Sequence, residues 1–169
     1  MSMTTIEDLT QSHFDLAASW LSNREINRWL TAEWRDKVAT AVLVAVMIRN
    51  KKNRVFLVNW NGQPVALTAL ADIDPADATA MVWYLLGDPS FSRRGIVSNA
   101  LVQMAAKCFR ELKLESLYAW VMEDNLASAR VLQKAGFREA GRIRRAACSN
   151  GRRVDRIYFD LLASECPAV

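Results

Sequence analysis

Apolar and polar positions follow two periods along this chain, and the switches between them mark an ordered set of elements. In residues 12–22, Phe14, Leu16, Ala17, Trp20 and Leu21 share one side at helical spacing. Ser12 and Asp15 form a capping-box-like opening for that helix. Residues 23–30 read as a second short helix, and residues 31–37 as a loop carrying Trp34. Residues 39–50 carry two signals: β-branched content favours a strand, length favours a helix, and we read a buried helix. Strands follow at 54–60 and 64–72, joined at Asn61-Gly62, a strong hairpin signal. Residues 74–77 form a turn and 79–87 a strand.

A helix over 94–113 places Ile96, Ala100, Leu101, Met104, Ala105, Cys108 and Leu112 on one side. Residues 116–122 read as a strand and 125–135 as a helix, with Asn125 as N-cap and Gly136 as the left-handed residue past its end. Two strands, 137–148 and 152–162, meet at Asn150-Gly151; Ile157, Phe159 and Leu161 alternate there with Arg156, Tyr158 and Asp160. This order predicts an α+β fold: a mixed, mostly antiparallel sheet of six or seven strands with helices on both faces. The strands at 79–87 and 116–122 are joined through a helix and should run parallel. No repeat or linker divides residues 1–169, so a single domain is expected, with a loose tail at 165–169.

Composition narrows the classes. Hydrophobic residues make up 51% of the 169, enough for a full core and against disorder. The longest apolar run, 41–48, is too short to span a bilayer, and the first eight residues lack a basic region followed by an apolar one. The reading is therefore a cytoplasmic protein without a membrane partner. Cys108, Cys148 and Cys166 show no Cys-x-x-Cys spacing, which argues against a disulfide framework and against a metal. His13 is the single histidine, in the polar start of a helix, so Ser-His-Asp and Cys-His mechanisms are set aside. The net charge is +4, and residues 138–156 hold seven arginines against Glu139 and Asp155. Such a stretch suits an acidic partner or a solvated hairpin face.

The chemistry concentrates after the strand at 79–87. Ser92-Arg93-Arg94-Gly95-Ile96-Val97-Ser98 is a short basic loop running into a helix. Free N–H groups at a helix start, the helix dipole, a side-chain-free Gly95 and two arginines can hold a phosphate; a plain surface connection with solvated arginines fits as well. The second signature is Asn125-Leu126-Ala127-Ser128 leading to Lys134-Ala135-Gly136-Phe137.

Together, in this order, the two segments resemble the GNAT superfamily of acyl-CoA-dependent N-acyltransferases: its pyrophosphate loop and its Asn-x-x-(Ala/Ser) helix. Phe137-Arg138-Glu139-Ala140-Gly141-Arg142 and the Asn150-Gly151 turn further resemble the branch with ribosomal-protein, spermidine and amino-sugar N-acetyltransferases. Good matches cover residues 84–162. The resemblance implies a splay between the two parallel strands, with acetyl-CoA as co-substrate and no metal. It places the cofactor on Ser92, Arg93, Arg94, Gly95, Ile96, Val97 and Ser98, on Asn125 and Arg130, and on the backbone of Leu85, Leu86 and Gly87. Ser92 and Val97 depart from the usual loop pattern. Leu132 stands where many members carry a Tyr that protonates the leaving thiolate.

Acyl transfer to an amine needs a neutral amine, an oxyanion donor and a proton for the thiolate. A backbone N–H at Leu86 or Gly87 is the expected donor. Asp72, Asp74, Asp88, Glu123 and Asp124 lie near strand ends, and Glu123 is our first choice of base; a carboxylate favoured by the adjoining helix dipole is the plainer reading of it. Tyr84 is the candidate proton donor, or simply a strand residue. Trp29, Trp34 and Trp83 are the candidate acceptor wall, with hairpin arginines at its rim. The expected partner is a small-molecule or protein amine, on a monomer or homodimer. An acyl-CoA-binding sensor remains the alternative, and a nucleic-acid-binding module a weaker one because only Tyr158 and Phe159 are aromatic near the arginines.

Overall fold

In the computed structural model, which describes residues 3–166, the chain opens with β1 (Thr4–Asp8), α1 (Phe14–Ser22), α2 (Arg24–Asn27) and α3 (Ala41–Arg49). β2 (Arg54–Trp60), β3 (Gln63–Asp74) and β4 (Thr79–Leu86) follow, then α4 (Ile96–Leu112), β5 (Ser116–Met122) and α5 (Leu126–Lys134). β6 (Arg138–Ser149) and β7 (Arg152–Leu162) close the fold. The strands make one sheet in the order β1-β2-β3-β4-β5-β7-β6, and only β4 and β5 pair in parallel.

Strand alternation sorts the core to two sides. Phe56 and Val58 of β2 join a cluster with α4, whereas Val55 and Leu57 face α1 and α3. β2 is apolar on both faces because both are covered. Asn61 and Gly62 (φ 51° and 82°), and Asn150 and Gly151 (φ 48° and 75°), take the positive φ that two-residue hairpin turns require.

One strand is new and three local expectations change. β1 carries one aliphatic residue, Ile6, too few for an alternation signal, and forms by pairing with β2 from Thr4↔Trp60 to Asp8↔Phe56. α1 has no side-chain cap: a 3-10 turn, Gln11–His13, precedes it, and the Ser12 hydroxyl bonds Thr10 and His13 instead. α2 is one turn long, capped by Asn23, whose carbonyl oxygen accepts the Glu25 N–H at 3.0 Å. α3 is a helix capped by Thr40 but is not buried: Val44 is its one fully covered side chain. No helix among the described residues is long and apolar enough to cross a membrane.

β4 and β5 pair only from Thr79↔Ser116 to Met81↔Tyr118. β4 continues to Leu86 and β5 to Met122. The strands therefore part, and the gap positions everything that follows.

Candidate active site

The parting opens a continuous cleft of about 1460 Å³, from the N-terminus of α4, through the gap, to the space beneath α2, α3 and the loop between them. At its first end Arg93 and Gly95 are both left-handed, at φ 61° and 75°. The first helical bond of α4 runs from the Asn99 N–H to the Gly95 carbonyl at 3.0 Å, which leaves the N–H groups of Ile96, Val97 and Ser98 without helical partners. The side chains of Ile96 and Val97 are buried in the core, and the Ser98 hydroxyl donates to the Gly95 carbonyl at 2.9 Å. These three residues offer backbone donors, not side chains.

A Cβ on Gly95 would meet nothing closer than Ser98 Oγ at 3.9 Å, so glycine is needed there for its φ. Arg94 lies over the Phe91 ring and donates to the Ser90 carbonyl. Ser92, Arg93 and, from α5, Arg130 are exposed on the cleft rim. Asp88 caps the turn before this loop; hydrogen bonds from Ser90 hold its carboxyl below the usual range.

Along the gap, strand alternation decides which amides are free. The Gly87 N–H donates to the Val65 carbonyl at 2.8 Å, and β3 and β4 stay in register from Ala66↔Leu86 to Ala71↔Met81. The backbones of Leu85 and Trp83 thus face β3, and those of Leu86 and Tyr84 face the gap. This removes Gly87 as an oxyanion donor. It also removes Gly87 from the cofactor set: the residue is covered by Trp20, whose ring atoms lie 2.1 Å from where a Cβ would stand, and it does not line the cleft. Leu85 lines the cleft with its amide turned toward β3, and its side chain is buried in the cluster beneath α1 and α3.

Tyr84 spans the gap. Its hydroxyl donates to the Ser128 carbonyl in the first turn of α5 at 2.9 Å. Burial pushes the phenol well above its ordinary range. Asn125 caps α5 through Oδ1, which accepts the Ser128 N–H at 3.2 Å, and lines the cleft. Leu132 is fully buried behind it.

Glu123 lies elsewhere. Its Oε1 accepts the Asp155 N–H at 3.1 Å, its Oε2 lies 3.8 Å from Arg142, and it does not line the cleft. The carboxylates that do are Glu25, Glu33 and Asp72. Of the described residues of β6 and β7 none lines the cleft, so the hairpin arginines do not form its rim. Arg142 is paired with Asp155 at 3.3 Å and Arg138 with Glu165 at 2.7 Å.

Trp29, Trp34 and Trp83 all line the second end, joined by Trp120, which carries Arg156 stacked 4.0 Å from its ring centre. Two residues that no motif singled out fasten this wall. Buried Asn27 donates to the Leu21 and Lys37 carbonyls at 3.1 and 3.3 Å. Arg35 donates to the Cys148 carbonyl at 2.8 Å and the Leu30 carbonyl at 3.2 Å, tying the Trp34 loop to the end of β6. Their partners are backbone carbonyls, which any residue carries, so such contacts leave no sequence pattern.

A family model described as Acetyltransferase (GNAT) domain matches residues 4–138. Probable N-acetyltransferase YjcK of Bacillus subtilis (strain 168) is 41% identical over 73 residues, 43% of this chain and 40% of that protein. YdaF of the same organism is 26% identical over 106 residues, 63% of this chain and 57% of its own. The matched stretches thus span about half the length of these curated relatives. Among solved structures, spermidine N-acetyltransferase from Vibrio cholerae, in complex with CoA and spermine, superposes with a TM-score of 0.85 over 96% of both chains at 18% identity, a likeness of fold.

Proposed function

The chain belongs to the GNAT acetyltransferase domain family, and from that premise we propose that it is an N-acetyltransferase, moving an acetyl group from acetyl-CoA to a primary amine by direct attack with both substrates held in one cleft. One observation carries the reading: a continuous space joins the partner-free N–H groups at the start of α4 to the unpaired edge of β4.

The residues fit that donor. The N–H groups of Ile96, Val97 and Ser98, with Arg93, Arg94 and Arg130 around them, suit a pyrophosphate. The Tyr84 and Leu86 backbone edge suits the amide-bearing arm, with the Asn125 side-chain amide opposite. Acetyl-CoA supplies an activated acyl group and a thiol leaving group. The Leu86 N–H is the donor we assign to the thioester oxygen. The acceptor enters from the Trp29, Trp34 and Trp83 end. Glu123 is committed to the β7 backbone, so any part it takes in removing the amine proton runs through water. Tyr84 holds its proton too tightly to match a thiolate well.

Buried Leu132 and the engaged Tyr84 also favour a second reading, an acyl-CoA binder without turnover. Thiol release from acetyl-CoA with a panel of amines separates the two. For the phosphate site, Gly95→Val forces a β-branched residue into the left-handed region. We expect its acetyl-CoA affinity to fall by about tenfold or more, read as loss of the thermal shift that ligand gives wild type. An unchanged shift would place the phosphates elsewhere.

A further inference from the structure

We propose that the acceptor amine of this protein is carried on an apolar body, an aromatic or branched aliphatic group beside the reacting nitrogen, and not on a polycationic chain. The proposal rests on the acyl-transfer reading and names the acceptor class for it.

The observation is α3. Its sequence, Ala-Val-Leu-Val-Ala-Val-Met-Ile-Arg, is apolar almost throughout, yet only Val44 is buried. Val42 is 71% exposed, Val46 58% and Leu43 47%, and Val38 just before the helix 77%. A helix that only packed on α1 would carry polar residues on such positions. The exposure has a direction. Val38, Leu43, Val46 and Met47 line the cleft, at the end away from α4. Trp34 and Trp83 line the same end, and Trp83 immediately precedes Tyr84 on the strand edge assigned to the acyl donor. Part of the surface that α3 leaves uncovered, Leu43 and Val46 but not Val42, is cleft wall, and aromatic rings share that end with it.

A chain with several ammonium groups needs carboxylates along its length. Three carboxylates, Glu25, Glu33 and Asp72, line the cleft, but so do the cations Lys37, Arg93, Arg94, Arg130 and Lys134, and Glu25 lies 3.8 Å from Arg28. A second ammonium would be set against Val38, Leu43 and Val46. A fold shared with a polyamine enzyme does not decide the acceptor, because the wall residues do.

The amine can come from a free arylalkylamine or from a polypeptide whose first residue is apolar. Initial rates with acetyl-CoA should be compared for phenethylamine, leucinamide, a short peptide with an N-terminal phenylalanine, spermidine and glucosamine. We expect kcat/KM for the apolar amines to exceed that for spermidine and glucosamine by about tenfold or more, the range one pocket contact commands. A peptide that outruns phenethylamine assigns the polypeptide source, and the reverse assigns the free amine; either supports the proposal. Spermidine or glucosamine as the best acceptor overturns it.

Val46→Asp, at a solvent-facing position that folding tolerates, should raise KM for the apolar amine about tenfold and spare the acetyl-CoA dissociation constant. An unchanged KM overturns the proposal. If no amine is acetylated although acetyl-CoA binds, the acyl-transfer reading fails separately. Tryptophan fluorescence of the CoA-loaded protein then still decides the acceptor class: titration by phenethylamine and not by spermidine supports it, and titration by spermidine alone overturns it.

Discussion

Tyr84 illustrates what a single side chain does once its partners are known. The hydroxyl that looked like a proton source is the hydrogen-bond donor of a 2.9 Å contact to the Ser128 carbonyl, joining β4 to α5 across the gap. These two elements are the walls proposed for the pantetheine arm, so Tyr84 reads as a positioning residue. Tyr84→Phe keeps the ring and removes the bond. We expect KM for acetyl-CoA to rise severalfold, about the worth of one hydrogen bond of roughly 1 kcal/mol, with the pH profile of kcat unmoved. A kcat that collapses, with loss of the alkaline limb of the profile, would return Tyr84 to the role of acid. The sequence could not separate these roles. It placed Tyr84 on a strand, but which way a strand residue's hydroxyl is spent depends on where α5 packs. Glu123 failed to be legible for the same reason: its position beyond β5 was read correctly, whereas the β7 backbone that claims its carboxylate lies 32 residues away.

Elements were more legible than side chains wherever the signal was local. The boundaries of β5 agree with the alternation of residues 116–122, and the ends of α5 follow from Asn125 and Gly136. β1 was illegible because its pairing with β2 is the only thing that makes it a strand. α3 was recognised as a helix and misjudged as buried, because apolar composition reports a preference for leaving water without saying whether protein or ligand provides the cover. Asn125 belongs to this scale as well. Its Oδ1 caps α5, a contact worth about 1 kcal/mol, and Asn125→Asp preserves an acceptor there while discarding the amide N–H donors. Acetyl-CoA binding should weaken about threefold to tenfold with a melting temperature close to wild type. Calorimetry showing equal affinity would leave Asn125 a cap and nothing more.

At the scale of the molecule, the sheet separates the work. The cluster packed under α4 reaches the cleft through Val82, Ile96, Val97 and Val121 and is closed around Cys108, whereas the side that carries α1 and α3 borders the open acceptor end. Stability and ligand binding should therefore respond to different probes. Cys108, in the closed part of the α4 cluster, is the probe for stability. Burial pushes its thiol up from 9.0 to about 12. Below pH 9 the thiol is protonated whether the chain is folded or not, and its contribution is fully present. Between pH 9 and about 12 the unfolded chain releases the proton and the folded chain keeps it, so stability falls as pH rises, by at most a few kcal/mol in order of magnitude. Tyr84, raised in the same sense, adds to the fall from pH 10 upward. Denaturant midpoints measured from pH 8 to 11 should decline more steeply for wild type than for Cys108→Ala, while acetyl-CoA affinity at pH 8 stays the same in both, because Cys108 does not line the cleft. Parallel declines would mean that the thiol titrates freely and that the cluster under α4 is open to water. A thiol reagent gives an independent check, since exposed Cys148 should react at once, and Cys108 and Cys166 only as the fold opens.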